Sequence, residues 1–168
     1  MFPIGDENRG RGLTPVTLII VVLNVLVFVY QMSLELPELH EFIVTYGAIP
    51  AELEQGDNLY TVLTSMFVHG GLGHIFGNML FMVIFADNIE RRFGSLLFLI
   101  FYLACGLFAT GAHLVTSPGS QVPTVGASGA ISGVMGAYIL LYPLNRVRVL
   151  VWYWGILQVP AFIFLGIW

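Results

Sequence analysis

The sequence has no lysine, a single cysteine, and charged residues at only 10% of its 168 positions. Soluble domains carry roughly 25% charge, and a globule this poor in charge could not cover itself against water. Six arginines against ten acids give a net charge of −4, which leaves no clustered cationic face for phosphate backbones and excludes a nucleic-acid partner. Cys105 alone cannot form an internal disulfide or a multi-cysteine metal centre, and inside its apolar run it reads as a small packing side chain. There is no His-Glu-x-x-His either, so no metal site and no cofactor is expected.

What is abundant is apolar surface. Hydrophobic residues make up 57% of the chain and the mean hydropathy is +0.86, so the lipid bilayer is the expected solvent for most of the exterior. A helix crosses the hydrocarbon layer with about 20 residues. Uncharged stretches of that length are predicted as spans at Leu13 to Leu34, between His69 and Asp87, from Gly94 to Val115, and from Val125 to Tyr142, where Pro143 ends the helix. The first is read as a retained helix, since it is longer than a signal-peptide core and no small-residue cleavage site follows it. The uncharged segment after Arg148 is interrupted by Gln158 and Pro160. It is either one kinked fifth span or an interfacial segment followed by a short helix starting at Pro160. The expected fold class is therefore an all-α polytopic membrane bundle over residues 1–168, with four full spans and part or all of a fifth.

The arginines give an orientation. Arg9 and Arg11 precede the first span, Arg91 and Arg92 follow the second, and Arg146 and Arg148 follow the fourth. Four crossings bring these flanks to one side, expected to be cytoplasmic, with residues 1–12 as a cytoplasmic amino terminus. The long loop 34–69, holding Glu35, Glu38, Glu41, Glu52, Glu54 and Asp57, faces outward and should contain short interfacial helices. A bacterial inner membrane fits this arrangement.

Polar groups inside membrane helices are costly and mark candidate sites. His74 and Asn78 lie four apart in Gly73-His74-Ile75-Phe76-Gly77-Asn78, on one helix face, and Ser128 lies in Gly126-Ala127-Ser128-Gly129. Both segments enter from the outer side, which puts His74 and Ser128 at matching shallow depth, with Asn78 about one turn deeper. Helix starts also present free N–H groups and a positive dipole end, a ready place for a developing oxyanion. Gly133 and Gly136 read as close helix packing. Gly126 and Gly129, flanking the serine, either pack in the same way or let a substrate backbone approach.

These residues resemble the rhomboid family of intramembrane serine proteases, through Thr64-Ser65-Met66-Phe67-Val68-His69-Gly70-Gly71, His74-x-x-x-Asn78, Glu90-Arg91-Arg92-Phe93-Gly94 and Gly126-Ala127-Ser128-Gly129-Ala130-Ile131-Ser132-Gly133. The resemblance implies a nucleophile at Ser128 and an oxyanion held by His74, Asn78 and the Ser128 N–H. It also implies a loop-positioning role for His69 and a structural cytoplasmic cluster at Glu90 and its arginines. In that family the general base is a histidine on a sixth helix. The histidines here are His40, His69, His74 and His113, so the resemblance implies a carboxy-terminally truncated protease that cleaves membrane-anchored protein substrates near the outer face. The absence of lysine excludes a Ser-Lys pair. A rhomboid-like protein that has lost activity and binds membrane clients, or a small transporter or channel component, are the other readings of the same polar residues.

Overall fold

A computed structural model describes residues 2–8, 14–153 and 155–167. Arg9, Arg11 and Leu13, which entered the orientation and the first span, lie outside the described residues. The chain order is β1 (Phe2–Asp6), α1 (Pro15–Met32), α2 (Leu36–Tyr46), α3 (Pro50–Glu54), α4 (Thr61–Thr64), α5 (Leu72–Phe81), a π-turn (Met82–Ala86), α6 (Asp87–Phe93), α7 (Ser95–Thr116), α8 (Ser128–Leu141), β2 (Arg146–Val151), β3 (Gly155–Pro160) and α9 (Ala161–Ile167).

Three helices among the described residues are long and apolar enough to cross a membrane: α1, the continuous Leu72–Phe93 helix formed by α5, the π-turn and α6, and α7. The second span does not close before Asp87, as expected, but runs to Phe93. Its charges find partners at the helix end. Arg91 pairs with Asp87 one turn away, and Asn88 donates to Asp6 Oδ2 at 3.0 Å. Glu90, only 2% exposed, accepts the backbone N–H groups of Val16 (3.0 Å) and Thr17 (2.7 Å) and the Ser95 hydroxyl (2.7 Å). α1 has Pro15 in its first turn and no side-chain cap of its own, so a carboxylate from 73 residues away satisfies its orphan donors. The expected structural role of Glu90 is thus that of a non-local helix cap.

The fourth span corrects the expectation. It does not start at Val125 but at Ser128, and its 14 residues rise about 21 Å, short of the roughly 30 Å hydrocarbon layer. The loop 34–69 holds the preceding residues extended. Ala48 and Thr124 exchange backbone hydrogen bonds of 3.0 and 2.8 Å, Ala51 N–H donates to Ser120 O, and Gly126 N–H donates to Ser65 O at 2.8 Å. That loop carries helices α2, α3 and α4, as its mixture of acids and apolar residues suggested.

The bundle is helical, but it also carries a three-stranded antiparallel sheet in the order β1-β2-β3, a feature the all-α expectation did not include. Residues 2–6 are not a free tail: Phe2 pairs with Leu150 and Asp6 with Val147, with a bulge between Pro3 and Gly5. Of the two readings of the last segment, the kinked span is excluded. A β2–β3 hairpin precedes a seven-residue helix that starts one residue after Pro160. The sheet joins the amino terminus to the carboxy end of α8. Asp6 accepts from Tyr138 OH at 2.5 Å, and Glu7 N–H donates to Arg146 O. The Arg91/Arg92 and Arg146/Arg148 flanks therefore meet at one end of the bundle. Between the ends, Phe85, Phe98, Tyr102, Ile131, Val134 and Tyr138 form a core closed to solvent.

Candidate active site at the starts of α5 and α8

His74 is the third residue of α5, and Ser128 is the first residue of α8. Each stands in a first turn, and Asn78 lies four residues, about 6 Å, further along α5. Their nearest common point is Gly126. A Cβ built there would stand 2.6 Å from His74 Nε2 and 3.5 Å from Asn78 Nδ2, so only a glycine admits both side chains. Gly126 also has φ +114°, a conformation that side-chain-bearing residues rarely adopt.

The donors are oriented. Gly70 N–H donates to His74 Nδ1 at 3.4 Å, which assigns the neutral ring's proton to Nε2, the nitrogen beside Gly126. Asn78 is 7% exposed, and its Nδ2 has no hydrogen-bond partner. Buried donors are normally paired, whereas this one stands unsatisfied beside Gly126. The Ser128 amide is one of the N–H groups that the first turn of a helix leaves unpaired. Its side chain is exposed, and among the described residues its hydroxyl makes no hydrogen bond.

Gly129 does not share this space. A Cβ on it would lie 2.5 Å from Ala109 Cβ on α7, so it serves close helix packing and not substrate approach. Gly133 likewise faces Cys105. Gly136 does not pack as expected, with nothing within 4 Å of its Cβ position.

His69 sits behind His74, ring to ring at 5.0 Å. Its backbone is clamped by Gln31, whose Nε2 donates to His69 O while its Oε1 accepts from His69 N–H, both at 3.0 Å. Burial lowers the His69 pKa to about 4, helped by the neighbouring His74 and opposed by the Phe67 carbonyl. The ring is therefore neutral at ordinary pH, in keeping with a positioning role. His113 lies in the last turn of α7 and His40 is exposed on α2. Sequence reasoning gave no role to Ser65, whose carbonyl fixes Gly126, and missed Gln31, although a glutamine at the end of an apolar span was a visible signal.

The family model described as the rhomboid domain matches residues 56–168, more than half of the sequence. The chain belongs to the rhomboid family. Rhomboid protease GluP of Bacillus subtilis is 36% identical over 106 residues, which covers 63% of this chain and 20% of that protein. RHOMBOID-like protein 12, mitochondrial, of Arabidopsis thaliana is 31% identical over 162 residues, covering 83% of the chain and 47% of the relative. Inactive rhomboid protein 1 of Drosophila melanogaster is 31% identical over 109 residues, covering 64% and 7%. The chain thus spans less than half the length of each of these relatives. Membership and the apolar helices make it an integral membrane protein with a helical polytopic fold. Rhomboid relatives include both named proteases and a protein named inactive.

Proposed function

We propose that this chain carries the nucleophile and oxyanion donors of an intramembrane serine endopeptidase that cleaves membrane-anchored proteins near the outer face. The supporting observation is the convergence of the His74 Nε2–H and the unpaired Asn78 Nδ2–H on Gly126, two residues ahead of Ser128. In the reaction, the Ser128 oxygen attacks the scissile carbonyl carbon and its proton passes to a general base. The carbonyl oxygen takes up the negative charge within reach of His74, Asn78 and the Ser128 N–H. Collapse expels the amine, which takes the proton back from the base, and water then hydrolyses the acyl-enzyme. The base is proposed to be a histidine on a helix outside residues 1–168. A substrate helix must unwind to expose its peptide bond, so small, helix-weakening residues are expected at the cleavage point. The proposed setting is a bacterial inner membrane with the amino terminus cytoplasmic, which the arginine flanks at one end of the bundle support.

A second reading, a rhomboid-like protein that binds membrane clients without cleaving them, is favoured by the exposed Ser128 hydroxyl, which makes no hydrogen bond to a histidine among the described residues. A fluorophosphonate probe separates the two. In the whole protein it should label Ser128 and leave Ser128→Ala unlabelled. A well-folded whole protein that takes no label would overturn the protease reading in favour of the binding one.

A further inference from the structure

The groove between α1 and α2 takes no part in the serine chemistry. Along α1 and the residues just after it, Leu23, Val27, Tyr30 and Leu34 recur four, three and four apart and form one stripe. Toward the middle of α1, Leu23 and Val27 together with Phe42, Phe67 and Val68 line an apolar slot of about 320 Å³. At the carboxy-terminal end of α1, Tyr30 and Leu34 face Glu38, Glu41 and Thr45 of α2 across a wider recess of about 620 Å³. Slot and recess share Phe42 and Tyr46. The three rings are linked, Tyr30 to Phe42 at 5.5 Å and Phe42 to Tyr46 at 4.6 Å.

We propose that this groove holds one phospholipid with an ammonium headgroup, its acyl chain in the slot and its ammonium against Glu38, Glu41 and the aromatic rings. The order of polarity along α1 is that of a lipid, apolar toward the middle of the span and charged where the span ends. Two carboxylates beside Tyr30, Phe42 and Tyr46 are complementary to a cation, through charge and through the ring faces. A headgroup with only negative charge would meet both carboxylates unopposed, since no lysine or arginine occurs between Arg11 and Arg91. Glu38 is fixed in place by accepting the Glu35 backbone N–H at 3.2 Å.

The inference does not depend on the protease reading and is tested without it. The purified protein in detergent is titrated with dioleoyl phosphatidylethanolamine or dioleoyl phosphatidylglycerol, which share acyl chains, and bound lipid is counted by native mass spectrometry. The phosphatidylethanolamine should bind about tenfold more tightly. In the E38Q/E41Q double variant the two should bind alike; glutamine keeps the α2 cap, so the loop stays folded. Val27→Trp, which fills the slot, should weaken both lipids. Equal binding by the wild type, a preference for phosphatidylglycerol, a preference that survives E38Q/E41Q, or tight binding that survives Val27→Trp in a protein of unchanged helix content would each overturn the proposal.

Discussion

Two adjacent rows of residues along α8, each spaced four apart, are built to different rules. On one, Gly129 and Gly133 lie so near α7 that a Cβ on either would run into Ala109 or Cys105. On the other, Ser128, Ser132 and Leu140 are exposed, and Gly136 has nothing within 4 Å of where its Cβ would be. Composition does not separate these rows, since both consist mostly of small residues. The difference teaches that a small-residue pattern marks places where close approach is possible, and that only the neighbouring helix decides whether it happens. Ser128 begins the exposed row, and under the proposed function the opening beside it is where a substrate segment would approach.

The largest effect is expected at the donors that face this opening. Asn78→Ala in the whole protein should raise the barrier to cleavage by about 3 kcal/mol with little change in substrate affinity, as is typical for loss of one oxyanion donor. Steady-state kinetics on a membrane-anchored substrate would show this as a loss in kcat. A loss confined to KM would remove Asn78 from the chemistry.

Next comes the contrast between the rows themselves. Gly133→Leu forces a side chain into Cys105 and should cost about 3 kcal/mol, whereas Gly136→Leu meets open space and should leave the unfolding midpoint nearly unchanged. Denaturant titration of both variants in the same detergent checks the pair, and equal losses would abolish the distinction. At the join between the opening and the packed core, Gly126→Ala combines an unfavourable φ of +114° with a contact to His74. It should cost about 2 kcal/mol of stability and also reduce fluorophosphonate labelling of Ser128.

A further effect, spread over a range of pH, concerns His69. Folding holds His69 neutral down to about pH 4, while in the unfolded chain the ring takes up its proton near 6.5. Stability contributed by the neutral ring is complete above pH 6.5 and declines as the pH falls from 6.5 to 4, because only the unfolded state binds the proton in that window. His69→Phe should flatten this part of the stability profile. A wild-type profile already flat between pH 6.5 and 5 would show that the ring is not shielded.

Much of this arrangement was legible in the residues. Long uncharged runs marked the helices, the paired arginines marked flanks that do meet at one end, and the polar trio stood out against its apolar setting. The sheet was not read, although Arg146-Val147-Arg148-Val149 alternates as a strand does. The uncharged run after Arg148 outweighed that alternation, and the partner strand lies about 145 residues away at the amino terminus, beyond the reach of local pattern. The end of the second span was misjudged for a related reason. Asp87 and Glu90 look like span-ending charges until Arg91 and the start of α1 are seen to satisfy them. Gly129 could not be told from Gly126 by spacing, because the distinction depends on where α7 and α5 pass.

The π-turn at Met82–Ala86 sets the angular relation between the two ends of the second membrane helix. It accommodates one more residue than a regular turn would, so winding the same residues as a regular α-helix would swing Asn88 and Glu90 by about 100° relative to His74 and Asn78. Glu90 could then no longer reach Val16 and Thr17 while the donors still faced Gly126. One local wind in the backbone thus lets the same rod grip α1 at one end and hold His74 and Asn78 toward Gly126 at the other.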